Sequence, residues 1–150
     1  MYKRILVPTD GSHTAEAGLR EACKLAREQE GTLLRVVHVV DELLTAMPEL
    51  YGTAYDALTD SVRKAGAAIL TRAESCARDQ GVTIETQLIE GMGTPAGELV
   101  IKAAQAWRAD LIVCGTHGRR GLRRIVMGSD AELMVRQTPV PILLIRKDGR

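Results

Sequence analysis

The sequence predicts an α/β fold: an open parallel sheet of five strands with helices on both faces, three layers in all. Two observations carry this. Short apolar runs alternate with segments whose apolar residues recur every three or four positions, in the order β-α-β-α-β-α-β-α-β. The composition also fits, with 45% hydrophobic residues but only 3% aromatic and no Phe. Such a core is built of Leu, Ile, Val and Ala, as in helices packed on a parallel sheet.

The first strand is Ile5-Leu6-Val7, ending at Pro8. Thr9-Asp10-Gly11-Ser12 makes a turn, with Ser12 as N-cap of the helix that follows. Ala15, Leu19, Ala22, Cys23 and Ala26 mark one face of that helix, which stops near Gly31. Leu33 to Val40 is a second strand, buried on both faces, closed by Asp41-Glu42. Leu43 to Thr53 has little pattern and reads as a covering loop. Leu58, Val62, Ala65, Ile69, Ala73 and Cys76 then define a long helix ending by Gly81.

Val82 to Ile89 is the third strand, and its alternation suggests an edge or an exposed face. Gly91-Met92-Gly93-Thr94-Pro95 is a turn, with Pro95 suited to the first turn of the next helix. That helix turns Ala96, Leu99, Val100, Ala103 and Trp107 inward. Ala109 to Cys114 is the fourth strand, and Ala131 to Gln137 the fourth helix. The last strand runs from Val140 to Ile145. Its Pro141 belongs at an edge or a strand start, yet the run is wholly apolar, and an exposed apolar edge invites aggregation. Pairing with a second copy resolves the conflict, so a homodimer through this strand is expected.

The chemistry concentrates between the fourth strand and the fourth helix. Gly115-Thr116-His117-Gly118 is followed, after a nine-residue gap, by Gly128-Ser129. Glycines suit close approach to a ligand, and backbone N–H groups at a helix start suit phosphate. Arg119, Arg120, Arg123 and Arg124 lie in the same loop. Helix capping alone also explains part of the pattern. Ser129 to Glu132 fits a capping box with Ser129 as N-cap.

Other classes are excluded by what is missing. No GxxxxGK[ST] loop, HExxH or GxSxG occurs, and the three histidines are scattered. Gly91, Gly93 and Gly97 miss the dinucleotide spacing by one residue and read as turn and packing residues. A formal net charge of +1 and few aromatics give no basis for nucleic-acid binding. The loop after the first strand is not the SGGxDS type of adenylating ligases. Cys23, Cys76 and Cys114 form no CxxC and read as reduced core thiols. With no signal peptide and no membrane-length apolar run, a cytoplasmic protein is expected. The length of 150 residues suits one domain over 1–150.

The spacing Gly115-x2-Gly118-x9-Gly128-Ser129 resembles the signature of the universal stress protein family, in its ATP-binding class. Three further segments are similar to that family: Ile5 to Ser12, His38-Val39-Val40-Asp41, and Thr138 to Arg146. The likeness is weakest from Leu43 to Asp60. The resemblance implies strand order 3-2-1-4-5 in an adenine nucleotide α-hydrolase-like sheet, and dimerisation through the last strand. It implies ATP as ligand, with Pro8, Thr9 and Asp10 beside ribose and phosphates and Asp10 assisting a Mg²⁺ ion. Val39 would meet the adenine. Cys114 and Gly115 would lie along base and ribose. Gly118, Gly128 and Ser129 would hold the phosphates through backbone N–H groups and the Ser129 hydroxyl, with Arg119 and Asp130 close by. Asp130 departs from the small apolar residue usual in the family. The function implied is a nucleotide-responsive regulator of stress response with at most slow ATP hydrolysis. The rival reading is a dimeric protein-interaction module of the same fold, without nucleotide and with an unknown protein partner.

Overall fold

The structure, a computed structural model, describes residues 1–40, 54–91, 93–116 and 127–146. In chain order the elements are β1 (Arg4–Pro8), α1 (His13–Glu28), β2 (Leu33–Val39), α2 (Tyr55–Arg78) and β3 (Glu85–Ile89). They are followed by α3 (Ala96–Ala106), β4 (Leu111–Gly115), α4 (Ser129–Gln137) and β5 (Ile142–Ile145). The sheet order is β3-β2-β1-β4-β5, every pair parallel. The order in which successive strands are added reverses between β1 and β4, the place where such folds open a crevice.

Strand periodicity divides the core in two. Ile5, Val7, Val36, Leu111 and Val113 face α1 and α2, with Leu19, Cys23, Leu70 and Ala73 packed on them. Leu6, Val37, Ile112 and Cys114 face α3 and α4, joined by Val100, Ala104, Trp107 and Met134. Both faces of β1 and β4 are thus covered, which is why their runs are continuously apolar.

Trp107 closes the second core at the N-terminal edge of the strands. It is 7% exposed. The Arg35 and Arg4 guanidinium carbons lie 4.6 and 5.3 Å from its ring centroid, and Arg4 Nη1 donates to its carbonyl at 2.8 Å. Asp110 accepts from the backbone N–H of Lys3 and Arg4 at 2.7 and 2.9 Å, fixing the start of β1 beside that of β4.

Four expectations are corrected. β5 begins at Ile142, not Val140, whose N–H instead turns onto Thr138 Oγ1 at 3.1 Å. β3 begins at Glu85, not Val82. Gly81 turns with φ 73°, and Val82 N–H then closes the end of α2 on the Ala77 carbonyl at 3.0 Å. Ile84 still packs on the core ahead of the ladder. In α2 the buried line passes through Thr59, Gly66, Ile69, Leu70, Ala73 and Ala77, while Ala65 is exposed. In α4, Ser129 is the first helical residue and Gly128 the N-cap. The capping box therefore does not form: the Gly128 carbonyl, not a serine side chain, opens the helix by accepting from Glu132 N–H at 2.9 Å.

Candidate functional site

At the end of β1 the chain leaves the sheet through a turn braced by its own side chains. Thr9 N–H continues the pairing to β2, donating to the Val37 carbonyl at 2.8 Å. Thr9 Oγ1 accepts from Gly11 N–H at 3.2 Å, and Gly11 has φ 77°. Asp10 Oδ1 accepts from Ser12 N–H at 2.9 Å. Ser12 Oγ then caps α1, accepting from Ala15 N–H at 3.2 Å. The order of residues Thr-Asp-Gly-Ser is thus the order of a side-chain-stabilised turn into a helix.

β4 is the neighbour of β1, with Leu6 opposite Ile112. The two loops of interest therefore leave adjacent strands at the same edge of the sheet. Cys114 lies on the α3/α4 face and is 3% exposed. Burial pushes its thiol up to about 12, and desolvation likewise raises Cys23 to about 11. Both are protonated thiols at neutral pH, as core residues are. Gly115 owes its identity to the helix beneath it. A Cβ there would lie 2.7 Å from Thr14 Cγ2 and 2.8 Å from the Thr14 carbonyl oxygen. The glycine lets the first turn of α1 sit directly against the end of β4.

Beyond Gly115 the stem of the loop is closed by backbone. Thr116 N–H reaches the Ile145 carbonyl at 3.0 Å, and Gly128 N–H donates to the Thr116 carbonyl at 2.9 Å. So the head of α4 is fastened beside the ends of β4 and β5. Gly118 and Arg119 lie outside the described residues. The Gly128 N–H is spent on Thr116, and the N–H groups of Ser129, Asp130 and Ala131, ahead of the first intrahelical N–H at Glu132, have no acceptor among the described residues. Gly128 itself has φ −60° and ψ 149°, a conformation open to any residue, and contributes no side-chain cap. α1 begins at a serine that caps it; α4 begins without such a cap.

Val39 ends β2 opposite Ile89 and faces the α3/α4 side, half-buried. Among the described residues, then, Thr9, Asp10, Val39, Gly115 and the head of α4 all stand at the C-terminal ends of the three central strands β2, β1 and β4. A separate groove of about 470 Å³ runs between α1 and α2 and meets this crevice at Thr9, Gly11 and Ser12. No group of three or more His, Cys, Asp or Glu that could hold a metal occurs among the described residues. A single carboxylate such as Asp10 fits Mg²⁺ where phosphates supply the other ligands.

The model of the universal stress protein family matches residues 1–146. The chain belongs to the universal stress protein family. It is 31% identical over 147 residues to universal stress protein MJ0531 of Methanocaldococcus jannaschii, covering 98% of this chain and 84% of that relative. Hypothetical protein MJ0577, the subject of a structure-based assignment of function, superposes with TM-score 0.84 at 24% identity, covering 100% of this chain and 99% of its own. That likeness speaks for the fold. The universal stress protein of Archaeoglobus fulgidus in complex with dAMP has TM-score 0.67 at 26% identity, covering 96% of this chain and 98% of its own. Among the described residues no helix is long and apolar enough to cross a membrane.

Within this universal stress protein, Asp130 has a structural task. Its Oδ1 accepts from Gly97 N–H at 3.1 Å, so a residue on α4 caps the start of α3, where Pro95 offers no side-chain acceptor. A Cβ at Gly97 would lie 2.9 Å from the Asp130 carbonyl oxygen. The two helices meet at this point, and the carboxylate is drawn towards α3 by the helix dipole and the Gly97 amide. The carboxylate at the head of α4 is thus held by its neighbour helix. One residue tied to the Thr9 turn was not singled out as a site residue in the sequence: His38, whose Nδ1 lies 2.7 Å from the Thr9 carbonyl. The signal was a polar residue interrupting the apolar run of β2, level with the Pro8-Thr9 loop.

Proposed function

We propose that this universal stress protein binds ATP in the crevice between the Thr9-Asp10 turn and the head of α4, and acts as a nucleotide-responsive dimeric regulator. The observation that carries the reading is the start of α4, uncapped by Gly128 and fastened at the point where the strand order reverses. Unpaired donors at a helix start favour phosphate. The A. fulgidus relative bound to dAMP supports an adenine nucleotide as the class of ligand.

In this reading Ser129 to Ala131 present N–H groups to the phosphates, and the Ser129 hydroxyl, exposed at the first helical position, adds a donor. Gly118 and Arg119 complete the phosphate side. Pro8, Thr9 and Gly115 border the ribose, Val39 and Cys114 the base, and Asp10 joins a Mg²⁺ ion held by the phosphates. Among the described residues, Asp10 accepts from the backbone of Ser12 and Asp130 from that of Gly97. Hydrolysis is accordingly slow at most. Calorimetric titration tests the reading: saturable ATP binding strengthened by Mg²⁺ is expected, and no binding at millimolar ATP would leave a dimeric interaction module instead.

The dimer is proposed through β5. It is an edge strand, and Leu143 on it is 36% exposed. Ile142 and Leu144 face the α3/α4 core, so a charge at either would disturb the subunit itself. Leu143→Lys instead places the charge on the exposed side. Sedimentation velocity should show at least a tenfold weaker dimer with an unchanged melting temperature; an unaltered profile would place the interface elsewhere.

A further inference from the structure

We infer that His38 is the positioning residue of the Thr9-Asp10 turn, and that through it the packing of α2 sets the shape of the crevice. The inference rests on the nucleotide reading for its consequence but not for its geometry. The Thr9 carbonyl can only accept, so the 2.7 Å contact requires the hydrogen on Nδ1 of His38. Short-range bonds within Thr9 to Ser12 and a ladder bond to Val37 also brace the turn. His38 adds a side-chain tie from β2, and it grips the residue next to the one proposed to meet Mg²⁺.

The ring is held from its other side by α2. A Cβ at Gly66 would lie 2.9 Å from His38 Cδ2, 3.4 Å from Nε2 and 2.8 Å from Leu88 Cδ1. Gly66 sits within α2, where glycine is unfavourable relative to alanine, and it is not among the residues with positive φ. Backbone freedom therefore does not explain it; room for the imidazole and Leu88 does. Gly66 thus leaves the space in which α2 lies over the imidazole, and the imidazole in turn ties to Thr9, so a helix flank is linked to the nucleotide turn.

His38→Leu, His38→Asn and Gly66→Ala test this. Asparagine can place an N–H where Nδ1 lies; leucine cannot. ATP affinity should fall at least tenfold in His38→Leu, return to within about threefold in His38→Asn, and fall in Gly66→Ala as the ring is pushed. Equal affinities in all three would overturn the inference. Two readouts do not depend on nucleotide. In wild-type protein, long-range ¹H–¹⁵N spectra should show the Nδ1–H tautomer at neutral pH, and a predominant Nε2–H tautomer would refute the contact. Amide exchange at Gly11 and Ser12 should accelerate at least tenfold in His38→Leu and stay near wild type in His38→Asn. Unchanged exchange would overturn the positioning role even where ATP binds. Normal exchange behaviour with no ATP binding to wild type would instead remove the nucleotide reading alone.

Discussion

Gly128→Asp is expected to weaken ATP binding roughly a hundredfold or more while leaving the fold as stable as before or slightly more so. The two signs come from one place. Gly128 is the N-cap of α4, with φ and ψ any residue can adopt. An aspartate there gains a few tenths of a kcal/mol over glycine as a cap, and its charge favours the helix dipole. The same carboxylate would occupy the donors of Ser129 to Ala131 and face the phosphates. Two unit charges ~4 Å apart at an effective dielectric of ~20 repel by about 4 kcal/mol, and two thirds of that is already roughly a hundredfold. Parallel melting and calorimetry check it. A variant that melts higher and binds ATP as well as wild type would remove the phosphates from α4.

Trp107→Ala should have the opposite profile: a large loss of stability with nucleotide affinity retained. Trp107 is buried, packs in the core under α3, and lies beneath Arg35 and Arg4. Truncating such a residue costs about 3–5 kcal/mol, or roughly 6–20 °C in melting temperature for a chain of this size. It stands at the opposite end of the strands from the crevice, about one strand length away, roughly 16 Å. Circular dichroism melts are the measurement, since the substitution removes the chain's one tryptophan. A shift of less than about 2 °C would mean that Trp107 is not a core anchor.

The fold was legible in the sequence because its signals are local. Apolar runs marked four of the strands, and an alternating run the third, β3. Ser12 was readable as a cap because its acceptor serves an amide three residues on. Gly97 was readable as a packing residue, although not its partner. Where the reading failed, the cause was a competing use of the same residue type. Val82 is apolar enough for a strand, but its N–H finishes α2. Ser129 and Glu132 fit a capping box, yet Gly128 takes the N-cap, a choice fixed by its tie to Thr116.

The candidate site was legible as two loops, less so as a set of contacts. Asp130 looked like a charge set among phosphates because its partner, Gly97, is 33 positions away. His38 looked like a scattered histidine because Thr9 lies across the sheet, in the neighbouring strand's continuation. Gly115 looked like a ligand glycine, and the structure gives it a second reason, the Thr14 backbone. Each of these depends on which strands and helices are neighbours, which periodicity does not specify.

The nucleotide is proposed to lie between the head of α4 and the Thr9-Asp10 turn. Backbone amide shifts followed by NMR during ATP titration test it most directly. The largest changes are expected at Ser129, Asp130, Ala131, Thr9, Asp10, Val39 and Val40, with little movement along the α1–α2 groove at Arg72, Ser75 and Gln80. Saturable shifts confined to that groove, with the α4 amides unmoved, would contradict it.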